Sequence, residues 1–371
     1  MRAAVWDGTT APLTIREVAL RRPGPLDTVV RITASCACIS DVIVFNTGRP
    51  LAGTPVPQIP GHGAAGVVEW VGEAVRRVAV GDRVVVAANP YCAACYACLR
   101  DRPDQCSEIV IVGSPHTLVD DGGPVHPNSA IGGYAEQSVV PERLLTPVRT
   151  DASDDALSLL ADGVGGGLGG AFNVAPVTPG STVAVLGCGL TGLGYVQAAR
   201  INGAERIFAV DPRPDRRAIA VQLGATHEFD PTDDDAVERI KDEAGGFPGF
   251  GDRRGVEFTF EASADHRAIE FAWQITRPTG HIVLASMPMD LEATVTFSAL
   301  DLAMTGKQIH GCQWGVIKVL RDLPRYVHLI DRGELLVEPM VTRRYTLDDI
   351  NDAFVAVSAY DVVGAVVHPN D

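Results

Sequence analysis

The stretch Thr182-Val183-Ala184-Val185-Leu186-Gly187-Cys188-Gly189-Leu190-Thr191-Gly192 decides the reading of this chain. Thr182–Leu186 is short, apolar and rich in β-branched residues, the pattern of a buried strand. Residues 187–192 have the spacing G-x-G-x-x-G, and an apolar helical stretch runs on to Ala204. A second strand pattern, Arg206–Val210, ends at Asp211, an acid 19 residues after Gly192. Alone, the glycine spacing is weak, because a glycine-rich turn without a ligand has the same spacing. Between strand and helix, with an acid at that distance, it reads as a dinucleotide-binding fingerprint. Gly187 permits the tight turn, Gly189 lets the backbone approach a pyrophosphate on the helix N-terminus, and Gly192 allows close helix–strand packing. Asp211 is placed to accept hydrogen bonds from the adenosine ribose and to repel a 2′-phosphate. That favours NAD, while Arg213 and Arg216 keep NADP as the lesser option.

Outward from the fingerprint, strand and helix patterns go on alternating. His227–Phe229, Val256–Glu261 and residues 281–285 read as strands, with Arg267–Ile275 helical between the last two. This is the doubly wound α/β pattern of a parallel sheet covered on both faces. Residues before the fingerprint read instead as short strands broken by Gly and Pro, as in a largely antiparallel β domain. The C-terminal segment 316–371 mixes a helix around residues 320–330, an amphipathic stretch 346–358 and a closing strand 362–368. There is no internal repeat and no low-complexity linker.

The chain has 371 residues, more than one hydrophobic core usually serves, so two domains are expected. A net charge of −15 argues against a nucleic-acid or anionic-membrane partner, both of which need basic surface. No apolar run reaches the length of a membrane span, and residues 1–5 lead straight into strand-like sequence without an export signal. A cytoplasmic enzyme is therefore expected. Eight cysteines are too few for a disulfide scaffold. Four of them, Cys92, Cys95, Cys98 and Cys106, are spaced C-x2-C-x2-C-x7-C. Four thiolates at this spacing wrap one tetrahedral Zn2+ and leave no open position, which is a structural site. Two disulfides or an Fe–S cluster are the other readings of these cysteines. A zinc-dependent nucleic-acid module is excluded by charge, since Arg100 and Arg102 in this lobe are balanced by Asp101 and Asp104.

A second constellation is less local. Cys38, in Cys38-Ile39-Ser40-Asp41, follows one strand pattern, and His62, in Pro60-Gly61-His62-Gly63, precedes another. Asp162 ends the run Leu159-Leu160-Ala161-Asp162. A lone histidine is more often an ordinary core or surface residue than a ligand, and spacing alone does not join these three. Together they would supply three protein ligands and leave a fourth position for water or substrate, as a catalytic Zn2+ requires.

In their order, these motifs resemble the zinc-dependent alcohol dehydrogenases of the medium-chain dehydrogenase/reductase superfamily. The resemblance runs through essentially the whole chain. Its carriers are Cys38 to Asp41, Pro60-Gly61-His62, Gly81-Asp82-Arg83-Val84, the cysteine lobe, Gly132-Gly133-Tyr134-Ala135-Glu136, the run ending at Asp162, and the fingerprint. It implies a GroES-like β catalytic domain, residues 1–163 and 313–371 with the zinc lobe at about 90–107, split by a Rossmann domain, 164–312. It implies a catalytic zinc on Cys38, His62 and Asp162, with Ser40 receiving the alcohol proton and Asp41 orienting the histidine. It places the cofactor against Gly187, Gly189, Leu190, Thr191, Gly192, Asp211, Arg216, Ala262 and Ser286. The implied reaction moves hydride between an alcohol and NAD, giving an aldehyde or ketone. The implied assembly is a homodimer or homotetramer, with Trp314 near the subunit contact.

Three departures qualify the resemblance. Ile43 stands where many members have a proton-relay histidine. Gly63 stands where a glutamate usually follows the ligand histidine. Six of the eight residues 163–170 are glycine where the family has a helix beside the nicotinamide, and each glycine in a helix costs about 1 kcal/mol relative to alanine. That density points to close backbone approach, to mobility or to both, and Gly166 offers no side chain to the nicotinamide. The loss of the relay histidine and of the glutamate keeps one alternative in view, a biosynthetic reductase of a carbonyl, imine or activated alkene with less dependence on zinc. Against a zinc-stabilised nucleotide-sensing or scaffold protein without turnover speak the retained Cys38, Ser40, His62 and Asp162. The resemblance places Ala52 and Ala88 near positions that line the family's substrate cleft, where small residues imply a pocket for a secondary or bulky alcohol. Segment 107–131, with His116 and His126, reads as a solvated surface loop.

Overall fold

The computed structural model describes residues 1–50, 54–89, 91–109 and 113–371. Ala52 lies outside the described residues. The chain forms two compact units: Met1–Gly163 with Lys318–Asp371, and Val164–Ile317.

Among the described residues, the first unit is built on a seven-stranded and a five-stranded sheet. The central strand of the larger sheet is Asp27–Ala37, which pairs antiparallel with Gly63–Val71, Gln137–Pro141 and Gly364–His368. Burial alternates along its first part and is complete over its last residues, so it carries the chain into the core just before Cys38. The chain's last strand, Gly364–His368, pairs Ala365 with Ala37, which folds the C-terminal segment onto the N-terminal one. Helix Ile350–Ser358 covers this side. Its Ile350, Ala353 and Phe354 pack with Trp6, Val42, Tyr134 and Leu347 in one apolar cluster.

The reading of 107–131 as a solvated loop needs correction. His116–Leu118 and Pro124–Pro127 are strands of the smaller sheet, and His116 is 2% exposed. Its Nδ1 accepts the Arg21 backbone N–H at 3.2 Å. Burial pushes its pKa down to about 4, so it is a neutral core histidine. The Gly and Pro residues around it close a tight antiparallel pair, which composition alone does not distinguish from a loop.

The second unit holds a six-stranded sheet of parallel pairs. From one edge its strands are His227–Phe229, Arg206–Val210, Thr182–Leu186, Val256–Glu261, Thr276–Leu284 and Gln308–Gly311. Chain order reverses beside Thr182–Leu186, which creates a crevice outside the carboxyl ends of the strands. Thr182–Leu186 is buried on both faces, as its unbroken apolar run requires. Phe208, Val210, Phe229, Ile240, Ile275 and Ile282 pack around it.

In this unit, residues 165–170 follow a helical path whose glycines have a steric cause. A Cβ on Gly167 would lie 2.3 Å from the Thr191 carbonyl oxygen, one on Gly169 2.4 Å from the Gly315 carbonyl oxygen, and one on Gly170 2.3 Å from the Tyr195 hydroxyl. Close backbone approach therefore accounts for Gly167 and Gly169, and the Tyr195 side chain for Gly170, at the helix-propensity cost noted above. A Cβ on Gly166 would meet nothing within 4 Å.

Candidate functional site

In the first unit, Cys38 caps helix Ile39–Thr47, so Ser40 and Asp41 fall in the first turn. His62 sits between Gln58–Ile59 and Gly63–Val71. Asp162 lies in the wide turn Leu160–Val164, where its φ of −125° and ψ of −113° break the helical path. These three separate segments bring the ligand atoms of Cys38, His62 and Asp162 within 4.8 Å of one another. His62 Nε2 is 3.4 Å from Asp162 Oδ1. Ser40 Oγ donates to Cys38 Sγ at 3.1 Å and lies 3.4 Å from His62 Nε2. On the other side of the ring, His62 Nδ1 faces Asp41 Oδ1 at 3.2 Å. This contact fixes the tautomer and leaves Nε2 free to act as a ligand.

The electrostatics suit a cation. Burial alone would lower the His62 pKa, but the carboxylates of Asp41 and Asp162 outweigh it and hold it well above the ordinary value. Burial would raise Asp162; the His62 charge outweighs that and holds the carboxyl below its ordinary value. Burial raises the Cys38 thiol, and the Asp162 charge adds to this. Asp162 Oδ2 is buried and has no hydrogen-bond partner among the described residues. A thiol, an imidazole nitrogen and an orphaned carboxylate oxygen converging on one point match the donors of an open zinc site. A divalent ion there would take the place of the protons these groups otherwise share.

Gly63 has a direct part in this geometry. A Cβ on it would lie 2.7 Å from Asp162 Cβ. The residue after the ligand histidine thus has no side chain because the Asp162 side chain occupies that space. Ile43, in the family's relay position, is 1% exposed and carries no proton.

The four-cysteine lobe is organised differently. Cys92, Cys95, Cys98 and Cys106 also form a convergent group, with Cys92 and Cys98 sulfurs 3.8 Å apart. Backbone N–H groups point at the sulfurs: Cys95 N to Cys92 Sγ at 3.3 Å, Cys98 N to Cys95 Sγ at 3.4 Å and Glu108 N to Cys106 Sγ at 3.4 Å. The Cys98 N–H is the largest cause holding the Cys95 thiol down at about 5, so a thiolate forms readily there. Cys98 is pushed up to about 12, first by burial.

In the second unit, Gly187 has φ +88°, and a Cβ on it would fall 2.6 Å from Ser263 Cα. A Cβ on Gly192 would lie 1.8 Å from the Gly187 carbonyl oxygen. Gly189 caps helix Leu190–Ile201, and the nearest group to a Cβ there is the Arg216 guanidinium at 3.5 Å. Asp211 Oδ2 accepts the Cys188 N–H and its Oδ1 the Arg213 N–H, both at 2.8 Å. Ala262 follows Val256–Glu261 and Ser286 follows Thr276–Leu284. Both therefore lie past the carboxyl ends of strands on one side of the crevice.

Sequence reasoning assigned no chemistry to Tyr134. Its hydroxyl lies 2.7 Å from Asp41 Oδ2. The signal was a tyrosine within an otherwise small-residue motif, since a buried phenol needs a polar partner.

Two family models match the chain: the alcohol dehydrogenase GroES-like domain over residues 24–150 and zinc-binding dehydrogenase over residues 191–332. An S-(hydroxymethyl)glutathione dehydrogenase of Synechocystis is 30% identical over 376 residues, covering 99% of both chains. Alcohol dehydrogenase 6 of Rattus norvegicus is 30% identical over 352 residues, covering 92% of this chain and 91% of its own. The crystal structure of benzyl alcohol dehydrogenase from Acinetobacter calcoaceticus superposes with a TM-score of 0.88 at 28% identity, covering 99% of this chain and 98% of that one. The chain belongs to the zinc-dependent alcohol dehydrogenases of the medium-chain dehydrogenase/reductase superfamily, oxidoreductases that interconvert alcohols with aldehydes or ketones.

Proposed function

We propose that this chain is an NAD-dependent alcohol dehydrogenase that holds a catalytic zinc on Cys38, His62 and Asp162 and a structural zinc on Cys92, Cys95, Cys98 and Cys106. The observation that carries the proposal is the buried triad with the orphaned Asp162 oxygen. When bound, zinc supplies Lewis-acid activation of the substrate oxygen and the nicotinamide supplies the hydride acceptor. The chain's residues do the rest. Asp41 holds the His62 tautomer, and Ser40, within 3.4 Å of His62 Nε2, takes the alcohol proton. Ile43 is apolar and cannot carry that proton onward; a bound cofactor's ribose and water would supply the exit path in its place.

Asp211 takes the ribose hydroxyls. A carboxylate has about four acceptor positions, so two backbone contacts leave room for them. The same charge repels a 2′-phosphate, and NADP is the lesser cofactor. The substrate is a secondary or bulky alcohol, a reading supported by the small Ala88. The reductase alternative loses ground because the donor triad is complete. All eight cysteines are buried or half-buried and none is in a disulfide, which suits a reducing cytoplasmic setting. A homodimer or homotetramer is supported by the sheet-edge strand Gln308–Gly311 and by exposed Leu300 and Met304 on helix Ala299–Thr305. Half-buried Trp314 lies three residues beyond that strand.

The test pairs metal analysis with a panel of primary, secondary, aromatic and terpenoid alcohols offered with NAD+ or NADP+. Two zincs per chain and turnover with NAD+ are expected. One zinc, with turnover unaffected by Asp162→Ala, would overturn the catalytic assignment.

A further inference from the structure

The segment 132–136 contributes no ligand to the triad, yet it is pressed against the segment that carries His62. Gly61 adopts φ +90°, and a Cβ on it would lie 3.0 Å from Gly133 Cα. Gly133 N–H donates to the Gly61 carbonyl at 2.9 Å, and Tyr134 N–H to the Pro60 carbonyl at 3.2 Å. A Cβ on Gly133 would come within 2.4 Å of Ser35 Oγ. Gly61 thus lets the two backbones touch while Gly133 leaves room for the Ser35 side chain, and the contact places the Tyr134 side chain beneath the site. The ring is fully buried and meets Phe354 edge-on at 5.9 Å. Its hydroxyl lies 2.7 Å from Asp41 Oδ2 and 3.0 Å from the Cys36 carbonyl oxygen. The phenol has one hydrogen, and the carboxylate is both the nearer and the stronger acceptor.

We propose that Tyr134 is a positioning residue of the metal site: its hydroxyl pins Asp41, Asp41 sets the His62 ring, and the ring sets how firmly the triad holds its ion. Each carboxylate oxygen of Asp41 then has its own partner, His62 Nδ1 on Oδ1 and Tyr134 on Oδ2. Without the hydroxyl, Oδ2 becomes a buried acceptor with one fewer donor. The carboxylate then rotates to recover a partner and takes the imidazole with it. Burial keeps the phenol protonated, since it raises the Tyr134 pKa well above the ordinary value and Asp41 raises it further.

This inference rests on the metal assignment made above. Its test is Tyr134→Phe, which keeps the ring against Phe354 and removes only the hydroxyl. Zinc release from the full-length holoenzyme into excess EDTA is timed by metal analysis, beside the same measurement on Asp41→Asn and on the double variant. About tenfold faster release of one zinc is expected, the low end of what loss of an outer-shell partner costs. The second zinc should leave at the parental rate. In the Asp41→Asn background, removing the hydroxyl should change release less than twofold, because the two residues act as one unit. Parental release from Tyr134→Phe overturns the proposal. So do equal effects in both backgrounds, or equal acceleration of both zincs, which mark a packing role. A parent that binds no zinc at the triad overturns the metal assignment together with this inference.

Discussion

The triad of Cys38, His62 and Asp162 and the lobe of Cys92, Cys95, Cys98 and Cys106 are both convergent ligand groups, built on opposite principles. The lobe takes its ligands from a short stretch, and its own backbone N–H groups stabilise the sulfurs. The triad takes one ligand from each of three distant segments and depends on side chains for orientation: Asp41 behind His62, Tyr134 behind Asp41, Gly63 giving way to Asp162. A local closed site fastens the chain. Four ligands fill a tetrahedral ion's positions, whereas the triad's three leave one open for chemistry. The two should therefore respond differently to substitution.

The largest expected effect is that of Asp162→Ala. A catalytic ion supplies several kcal/mol of transition-state stabilisation, so kcat/KM should fall by about a thousandfold. Metal analysis should find one zinc per chain, with the lobe intact. Loss of both zincs would break the comparison, because it would make the lobe depend on the triad. Gly63→Ala should follow. Its Cβ cannot occupy a position 2.7 Å from Asp162 Cβ, so the carboxylate must move. A drop of about 10–100-fold in zinc affinity at the triad is expected, of the order seen when an orienting group is lost. Unchanged affinity by chelator competition would show that Asp162 has slack there.

These two sites also differed in how legible they were. The lobe could be read directly from three spacings, because its geometry is local. The Rossmann unit was legible for the same reason: strand, glycine turn, helix and acid follow one another within about one βαβ unit. The triad could not be joined by spacing and needed the family's motif order. The support around it was the least legible. Gly63 read as a missing carboxylate and proved to be space for Asp162, and the glycine run, read as close backbone approach, mobility or both, proved at Gly167 and Gly169 to be close backbone approach. Tyr134 and His116 were misjudged or passed over because a residue's burial depends on which distant strand covers it.

For the lobe, Cys106→Ser should cost stability rather than chemistry. Removing one ligand opens the closed site, and a fall in Tm of about 5–10 °C is expected from a loss of a few kcal/mol. Limited proteolysis should cut first within residues 91–109. kcat with a good alcohol should stay within about threefold of the parent below the new Tm. A collapse of kcat with no change in Tm would reverse the roles assigned to the two sites.

The smallest effect sharpens the claim that the triad depends on distant support. Asp155 opens helix Asp154–Leu159, just ahead of Asp162. It is tied to the last strands by Arg344 Nε at 2.6 Å and His368 Nε2 at 2.8 Å. Contact with Asp155 raises the His368 pKa above its ordinary 6.5. Asp155, despite burial, is held below its ordinary 3.8 by His368 and Arg344. The His368 contribution is therefore full below pH 6.5 and is lost as pH rises through the folded value. That of Asp155 is present above pH 3.8 and is lost as pH falls through its own folded value. The clamp is strongest between those limits. His368→Gln should destabilise the protein by about 1 kcal/mol at pH 6 and by much less at pH 9, measured by urea unfolding. Zinc release from the triad should quicken at pH 6 while that of the lobe does not. An equal loss of stability at both pH values would mean that His368 acts through packing, and the clamp would then have no part in holding Asp162.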